Sequence, residues 1–367
     1  MKPHFHGSDL ELIEKYYHIP KDEIISFSAN VNPLGSSPLM KERLRERIDC
    51  VEEYPDRDYS ALRASIASYL SCGSEHILPG NGSTELISLF IRLLSPKKAI
   101  LISPTYFEYE RELSLKRCVY EYFNLREEDS FVLDMESLFS VLNRSTDSLL
   151  DCDMLIMCNP NNPTSSCVRT DEMRNILTHC KRNNISVMVD ETYAEFADGS
   201  VSSIPLANEF DNLVVLRGTS KFFACPGLRL GYAVCGSSEL LARAKALQNP
   251  WSLNSLGALA GEIMFKDTEY IKKTRALISN ERDRIYKILK GIPFIKVYEP
   301  HANFLLFKLL NSDVNSHQLF EKAIKKKLMI RDCSEFESLD ETYIRFCFMN
   351  PEQNDLLLRV LFDRSFT

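Results

Sequence analysis

Residues 217–234, RGTSKFFACPGLRLGYAV, decide the fold and the chemistry expected of this chain. They follow an apolar run, LVVL at 213–216, that is typical of a buried strand. Lys221 is therefore predicted to lie on a loop at the carboxyl end of that strand, the edge where open α/β sheets bind ligands. A desolvated lysine there can form a Schiff base with an aldehyde, and Arg229 is a candidate anion clamp beside it. Taken alone, a lysine after a serine is more often a surface cation.

Length and composition narrow the class of protein. A chain of 367 residues is longer than one core usually supports, so two domains that share an interior are expected. The net charge of −7 and the pI near 5.7 argue against nucleic acid or an anionic membrane as the main partner. No signal peptide opens the chain, and no apolar stretch reaches the ~18 residues that a membrane span needs.

The cysteines indicate a reducing compartment. Eleven cysteines make up about 3% of the chain, far below the roughly 8–10% of a secreted disulfide scaffold. They lie mostly inside apolar runs and lack the paired spacing of a zinc site, so no metal is expected. We interpret them as reduced and buried, in a cytoplasmic protein.

Apolar periodicity predicts alternating helices and strands. Helices are predicted at 10–17, 59–70, 129–142, 170–182, 242–247, 268–290 and 316–326. Strands are predicted at 24–27, 99–103, 154–158, 185–189, 213–216, 294–297 and 303–306, and a short strand leads into Gly80. The alternation favours right-handed crossovers and a mostly parallel sheet.

The stretch GNGST at 80–84 carries a candidate anion site. Glycines let the backbone approach an anion, and free N–H groups at the start of the following helix bind phosphate with help from the helix dipole. The same pattern is a common turn with a helix cap, and on spacing alone that reading is about equally good. It is not a Walker loop, because no Gly-Lys-Ser/Thr follows.

Polar side chains also follow three other predicted strands. Tyr106 comes after the strand at 99–103, Asn162 lies in NPNNPT after 154–158, and Asp190 opens DETYAEF after 185–189. An aromatic residue at such a place is more often packing, and an acid there is commonly a helix cap. Since parallel strands end at one edge of a sheet, these residues are expected near Lys221.

Six separated motifs of this chain occur in the same order as in one enzyme family. They include segments described above together with HG at 6–7, FSANVNPLG at 27–35 and YPD at 54–56, and they are similar to those of pyridoxal-phosphate (PLP) enzymes of the aspartate-aminotransferase fold type. The branch is that of histidinol-phosphate aminotransferases and threonine-phosphate decarboxylases. The resemblance covers nearly the whole chain. It implies a three-layer α/β/α fold with a mostly parallel sheet, and a smaller α+β domain formed by the two termini. The implied boundaries are 1–30 for the N-terminal arm and part of the small domain, 31–250 for the large PLP-binding domain and 251–367 for the small domain.

The resemblance also implies a cofactor site for pyridoxal 5'-phosphate. Its catalytic residues would be Lys221, Asp190 and Tyr193; a carboxylate facing the pyridine nitrogen keeps it protonated, and the protonated ring is an electron sink. Tyr54 would reach across a homodimer to the cofactor phosphate of the neighbouring subunit. The other cofactor-binding positions would be Gly82, Ser83, Thr84, Tyr106, Asn162, Ser220 and Arg229. Two positions depart from the family pattern, Ser165 where a glycine is usual and Gly218 where many relatives carry a hydroxyl.

Substrate-binding positions are implied at Asn32, Arg331, Arg345, Asn303 and His6. Strand-edge arginines are often plain ion-pair partners, but two guanidinium groups suit a phosphomonoester well. The sequence therefore predicts a small phosphorylated amine. The working choice is a histidinol-phosphate aminotransferase with 2-oxoglutarate and glutamate as partners. The alternative is a threonine-phosphate decarboxylase of cobalamin biosynthesis, and a non-catalytic PLP-binding sensor is a remote third.

Overall fold

The fold is centred on apolar strands that end where the sequence has polar side chains. The structure is a computed structural model that describes residues 5, 7, 9–143, 151–310 and 313–362. Its strands are β1 (Ile25–Ser26), β2 (Ile77–Gly80), β3 (Lys98–Ser103), β4 (Val119–Asn124), β5 (Met154–Cys158), β6 (Ser186–Asp190), β7 (Leu213–Gly218), β8 (Gly231–Cys235), β9 (Ile295–Val297), β10 (Phe304–Leu309), β11 (Leu328–Met329), β12 (Arg331–Asp332) and β13 (Tyr343–Cys347). Its helices are α1 (Leu10–Tyr17), α2 (Pro38–Glu46), α3 (Ser60–Leu70), α4 (Gly82–Leu94), α5 (Glu108–Leu115), α6 (Met135–Leu142), α7 (Thr170–Arg182), α8 (Ser238–Leu247), α9 (Ser255–Met264), α10 (Thr268–Lys290), α11 (Ser316–Ile324) and α12 (Pro351–Phe362).

The large sheet has the strand order β2-β8-β7-β6-β5-β3-β4. Strands β4, β3, β5, β6 and β7 run parallel, whereas β8 is antiparallel to both of its neighbours. The inner strands are buried along their length, as strands covered by helices on both faces must be. The predicted α/β fold with a mostly parallel sheet is confirmed. The carboxyl ends of β3, β5, β6 and β7 therefore meet at one edge.

The boundaries of most elements follow the apolar periodicity. The predicted spans of β5, α7 and α10 match the observed ones. The predicted helix at 129–142 starts too early, because the Asp134 side chain accepts hydrogen bonds from the N–H groups of Glu136 and Ser137 and so caps α6. Strands β4 and β8 were not predicted.

A smaller antiparallel sheet, β12-β13-β10-β9, is built from the C-terminal third of the chain. The N-terminal segment joins this part through parallel pairing of β1 with β11. Helix α9 instead packs against α2 and α3. The boundaries at 30 and 250 stay predictions. No helix in the described ranges is long and apolar enough to cross a bilayer.

One glycine sets how closely helix α4 approaches the sheet. Gly231 pairs with Gly80 on one side and with Gly218 on the other. A Cβ at Gly231 would lie 2.5 Å from the backbone nitrogen of Ser83 and 2.6 Å from the carbonyl carbon of Gly82. The start of α4 can therefore lie against β8 only because residue 231 has no side chain.

We predict that Gly231→Ala destabilises the chain. The added methyl group would meet backbone atoms that cannot rotate away, an overpacking that typically costs about 1–3 kcal/mol. The measurement is the free energy of unfolding in urea. Gly227→Ala is the control, since a Cβ there meets no atom within 4 Å. Equal stability of the two variants would contradict this account of the packing.

Candidate active site

A cavity of about 720 Å³ lies at the carboxyl ends of β3, β5, β6 and β7. It brings together most of the side chains that the sequence predicted. They are Ser83, Thr84, Tyr106, Asn162, Asp190, Tyr193, Ser220, Lys221, Arg229, Arg331 and Arg345.

Lys221 is held in the cavity wall by a backbone carbonyl. Its Nζ donates to the carbonyl oxygen of Ala29 at 2.6 Å. Burial and, to a smaller extent, the nearby positive charge of Arg345 together lower the pKa of Lys221 to about 8. The amine is therefore neutral above about pH 8, the form in which a lysine is a nucleophile or a proton acceptor.

Asp190 is a buried carboxylate held from two sides. One oxygen accepts from the hydroxyl of Tyr109 at 2.7 Å, and the other accepts from the N–H and the hydroxyl of Thr192 at 2.9 and 2.5 Å. Burial raises the pKa of Asp190, while the hydrogen bonds from Thr192 and Tyr109 act in the opposite direction. Tyr109 was not predicted as a site residue, although it lies in the same PTYFEYE motif as Tyr106.

The start of helix α4 forms an anion cradle with Arg229. Gly82 has φ +83°, and a Cβ there would lie 2.5 Å from Nη2 of Arg229, so the absent side chain lets the guanidinium approach the helix. Among the described residues, no side chain caps this helix. Its first N–H groups, with Ser83 and Thr84 at the cavity, are therefore available to an anion.

Arg345 is a buried cation beside the lysine. It donates to the side-chain oxygen of Asn162 and to the carbonyl oxygen of Ser28, the latter at 2.6 Å, and it lies 5.3 Å from the centre of the Phe304 ring. Its Nε is buried and finds no hydrogen-bond partner among the described residues. Burial lowers the pKa of Arg345. An unpaired donor on a buried cation favours an anionic ligand.

Arg331 is the cross-strand neighbour of Arg345 in the small sheet. It donates to the carbonyl oxygen of Phe5, lies 3.7 Å from the carboxylate of Glu335 and stacks 5.3 Å from the Phe336 ring. These contacts place the guanidinium group of Arg331 against Phe5 in the N-terminal segment. The cavity thus has two cationic positions on adjacent strands.

Two tyrosines of the predicted site lie in the cavity wall. Tyr193 is buried, accepts from the Asn30 amide at 3.3 Å and packs edge-on against Phe304. Tyr106 is half-buried, and burial raises its pKa to about 12, so it presents a neutral aromatic surface.

Four of the predicted residues that the structure describes do not line the cavity. Asn32 is buried behind it and donates to the side chains of Tyr270 and Thr274. Asn303 is buried and donates to the carbonyl of Asn30. Gly82 is buried at the start of α4, against the guanidinium of Arg229. The fourth is Tyr54, which is 81% exposed. His6 lies outside the described residues, so its predicted role stays a prediction.

The structure explains why a serine fits where the family pattern has glycine. Ser165 has φ +61°, a left-handed conformation that glycine adopts easily. Its hydroxyl oxygen compensates by accepting from the N–H groups of His301 and Ala302, at 3.0 and 2.9 Å. The hydroxyl therefore ties the loop after β5 to the segment that enters β10.

The residues that line the cavity fit a cofactor that carries both a phosphate and a ring nitrogen. The α4 cradle with Arg229 and Ser220 suits the phosphate, and the buried Asp190 suits a protonated nitrogen. Lys221 lies between Gly218 and Arg229 in sequence and lines the same cavity. These residues match what pyridoxal 5'-phosphate requires.

Comparison with known proteins agrees with this geometry. A threonine-phosphate decarboxylase of Salmonella typhimurium is 34% identical over 361 residues, 97% of this chain and 95% of that protein. A histidinol-phosphate aminotransferase of Methanothermobacter thermautotrophicus is 30% identical over 366 residues, 98% and 94% of the two chains. The crystal structure of the histidinol-phosphate aminotransferase from Clostridium acetobutylicum has a TM-score of 0.84 at 33% identity, covering 91% of this chain and 97% of its own.

The family model for aminotransferase class I and II matches residues 22–361. That span includes the anion cradle with Arg229, the NPNNPT loop that contains Asn162, and Asp190, Lys221, Arg331 and Arg345. The chain therefore belongs to the class I and II aminotransferase family and is an enzyme that uses pyridoxal 5'-phosphate.

Proposed function

We propose that this enzyme decarboxylates threonine phosphate. The observation that carries the proposal is the pair of guanidinium groups at two positions in one cavity. Arg345 lies close enough to Lys221 to lower its pKa, so it suits a carboxylate on the substrate Cα. Arg331, nearer to the N-terminal segment, suits a phosphate farther along the substrate. A phosphorylated amino acid has both anions.

The chain's own residues supply binding and proton transfer. Pyridoxal 5'-phosphate, when bound, withdraws electrons from the substrate Cα. Asp190 would hold the proton of the cofactor ring nitrogen, and Arg229 with the start of α4 would hold its phosphate. In the decarboxylation, the Cα–carboxylate bond breaks, carbon dioxide leaves, and Cα takes a proton from Lys221. The product is 1-aminopropan-2-yl phosphate.

Histidinol phosphate, the working choice from the sequence, remains the second candidate. One part of the cavity favours it, because Tyr122, Glu110 and Phe336 line the same wall, and Tyr122 donates its hydroxyl to Glu110. A carboxylate beside aromatic rings could accept a hydrogen bond from an imidazole N–H. In that reaction the amino group would pass to 2-oxoglutarate. The known relatives include enzymes of both names, at 34% and 30% identity.

A homodimer with shared sites is part of the proposal. Tyr54 is 81% exposed and packs 5.0 Å from the ring of Trp251, and the nearby Ile48 and Val51 are exposed by half or more. Exposed apolar side chains in one region are typical of an interface. This supports the expectation that Tyr54 reaches the cofactor phosphate of a second subunit.

The cytoplasmic location predicted from the cysteines is proposed as well. All eleven cysteines are free thiols. That state accords with a reducing compartment.

We predict that Gly218→Ser tightens cofactor binding. Gly218 lines the cavity, and a Cβ there would be in ordinary contact, 3.5 Å from the Ser83 hydroxyl. The new hydroxyl could donate to the cofactor phosphate, and one such bond should lower the dissociation constant of pyridoxal 5'-phosphate about tenfold. The measurement is fluorescence titration of the cofactor-free chain. Gly218→Ala is the control, and an equal gain in both variants would rule out the hydroxyl.

The substrate assignment is tested by two assays on each candidate. We expect carbon dioxide from threonine phosphate, without any need for 2-oxoglutarate. Lys221→Ala should abolish it, and Arg331→Gln should raise KM by tenfold or more, because a buried phosphate would lose its charged partner.

Glutamate consumption or formation that depends on histidinol phosphate and its keto product would instead establish the aminotransferase. Turnover of unphosphorylated amino acids alone would contradict both candidates. Binding of the cofactor without any turnover would favour the sensor.

The shared site is tested by mixing two defective variants. Lys221→Ala and Tyr54→Phe should each have little activity. In a mixed dimer one site carries both defects and the other carries neither, so about a quarter of wild-type activity should return after subunit exchange. Sedimentation should show a dimer. A fully active monomer would contradict the proposal.

A further inference from the structure

A buried ion pair joins the ends of β6 and β7 beside the cavity. The Arg217 guanidinium donates through Nη2 and Nε to one carboxylate oxygen of Glu191, at 2.8 and 3.1 Å. Ser202 donates its hydroxyl to the same oxygen at 3.0 Å, and the Ser203 N–H donates to the other. The two charged side chains are 7% and 0% exposed. Both oxygens of Glu191 are therefore satisfied, which a buried ion pair requires to be stable.

The two residues of this ion pair lie close in the chain to the two proposed catalytic groups. Glu191 follows Asp190 in the chain, and Arg217 immediately precedes Gly218, which lines the cavity before Lys221. The backbone N–H of Glu191 also donates to the carbonyl of Leu216 at 2.8 Å, so the two strand ends are bonded at this point. Neither Glu191 nor Arg217 is among the residues that line the cavity.

A second carboxylate beside Arg217 provides an internal comparison. Glu195 is also buried, but it lies 3.8 Å from Nη1 of Arg217. Within the described part of the chain, neither of its carboxylate oxygens finds a hydrogen-bond partner. Burial raises the pKa of Glu195 to about 7. Two carboxylates therefore share one arginine, but only Glu191 is clamped by it.

We infer that Arg217 is a positioning residue: by clamping Glu191, it fixes the ends of β6 and β7 in the arrangement that brings Asp190 and Lys221 to one cavity. The inference rests on the proposed roles of Asp190 and Lys221, and it holds for either candidate substrate. The ion pair contacts neither group itself. Its effect is geometric, through the one-residue step from Glu191 to Asp190 and the short step from Arg217 to Lys221.

The test compares Glu191→Gln with Glu195→Gln, two variants that each replace one carboxyl group beside the same arginine with a neutral amide. We expect Glu191→Gln to lower kcat on the order of 10- to 100-fold, because small misplacements of catalytic groups have large effects on rate. Glu195→Gln should stay within about twofold of the wild type. Arg217→Lys keeps the charge but loses the two-donor clamp, so it should behave like Glu191→Gln.

A second readout does not depend on turnover. In the cofactor-free chain, the rate at which Lys221 is acylated, followed by mass spectrometry across pH, reports its own titration. If Glu191→Gln moves the amine out of its buried position and into water, the pKa of Lys221 should rise from about 8 toward the ordinary 10.5, because burial is the main cause of the low value. Loss of a negative charge alone would move the pKa in the opposite direction, so the sign separates displacement from electrostatics.

Equal kinetics and equal Lys221 profiles in the two glutamate variants would overturn the inference. So would a Glu191→Gln variant that melts at a lower temperature while kcat and the Lys221 profile are unchanged. If Glu191→Gln does not fold, Arg217→Lys decides, and wild-type behaviour there is a negative result. If Lys221→Ala retains turnover, the proposed function fails instead, which is a separate measurement.

Discussion

Positive charge that is buried without matching carboxylates is the constraint on which this site depends. Lys221 and Arg345 both lose hydration at the cavity, and burial lowers the pKa of each. Moving a cation out of water costs several kcal/mol unless other groups compensate. The carbonyls of Ala29 and Ser28 and the amide of Asn162 compensate only in part. A ligand that brings negative charge would complete the balance, which supports the proposal of an anionic substrate.

Much of the fold could be predicted because parallel strands that are buried on both faces are apolar throughout. This made β5 and β7 easy to recognise, and it placed Asn162, Asp190 and Lys221 at strand ends that a parallel sheet must gather at one edge. Strand β4 was not predicted because it lies at the edge of the sheet, where its side chains are partly exposed. Strand β8 was not predicted because it begins only two residues after Arg229, within the stretch that was interpreted as a ligand-binding loop.

Other parts of the site depend on tertiary packing that no local pattern encodes. Tyr109 reaches Asp190 only because α5 begins directly beyond the end of β3. Asn32 was expected to contact substrate, yet its amide is used by helix α10, far along the chain. The clamping of Glu191 rather than Glu195 likewise depends on Ser202 and Ser203, which donate hydrogen bonds to Glu191 from a later loop.

The hydroxyl of Ser165 has a consequence for how the cleft can open. Its hydrogen bonds connect the loop after β5, which contains Asn162, to the segment that leads into β10. The hydrogen bond from Arg345 to Asn162 also connects the small sheet to this loop of the large sheet. A hinge that swung the two sheets apart here would have to break both connections at once. Asp9 and residues 335–337 also line the cavity, and their movement would break neither connection. Opening of the cleft at these residues would therefore leave the connection between the two sheets intact.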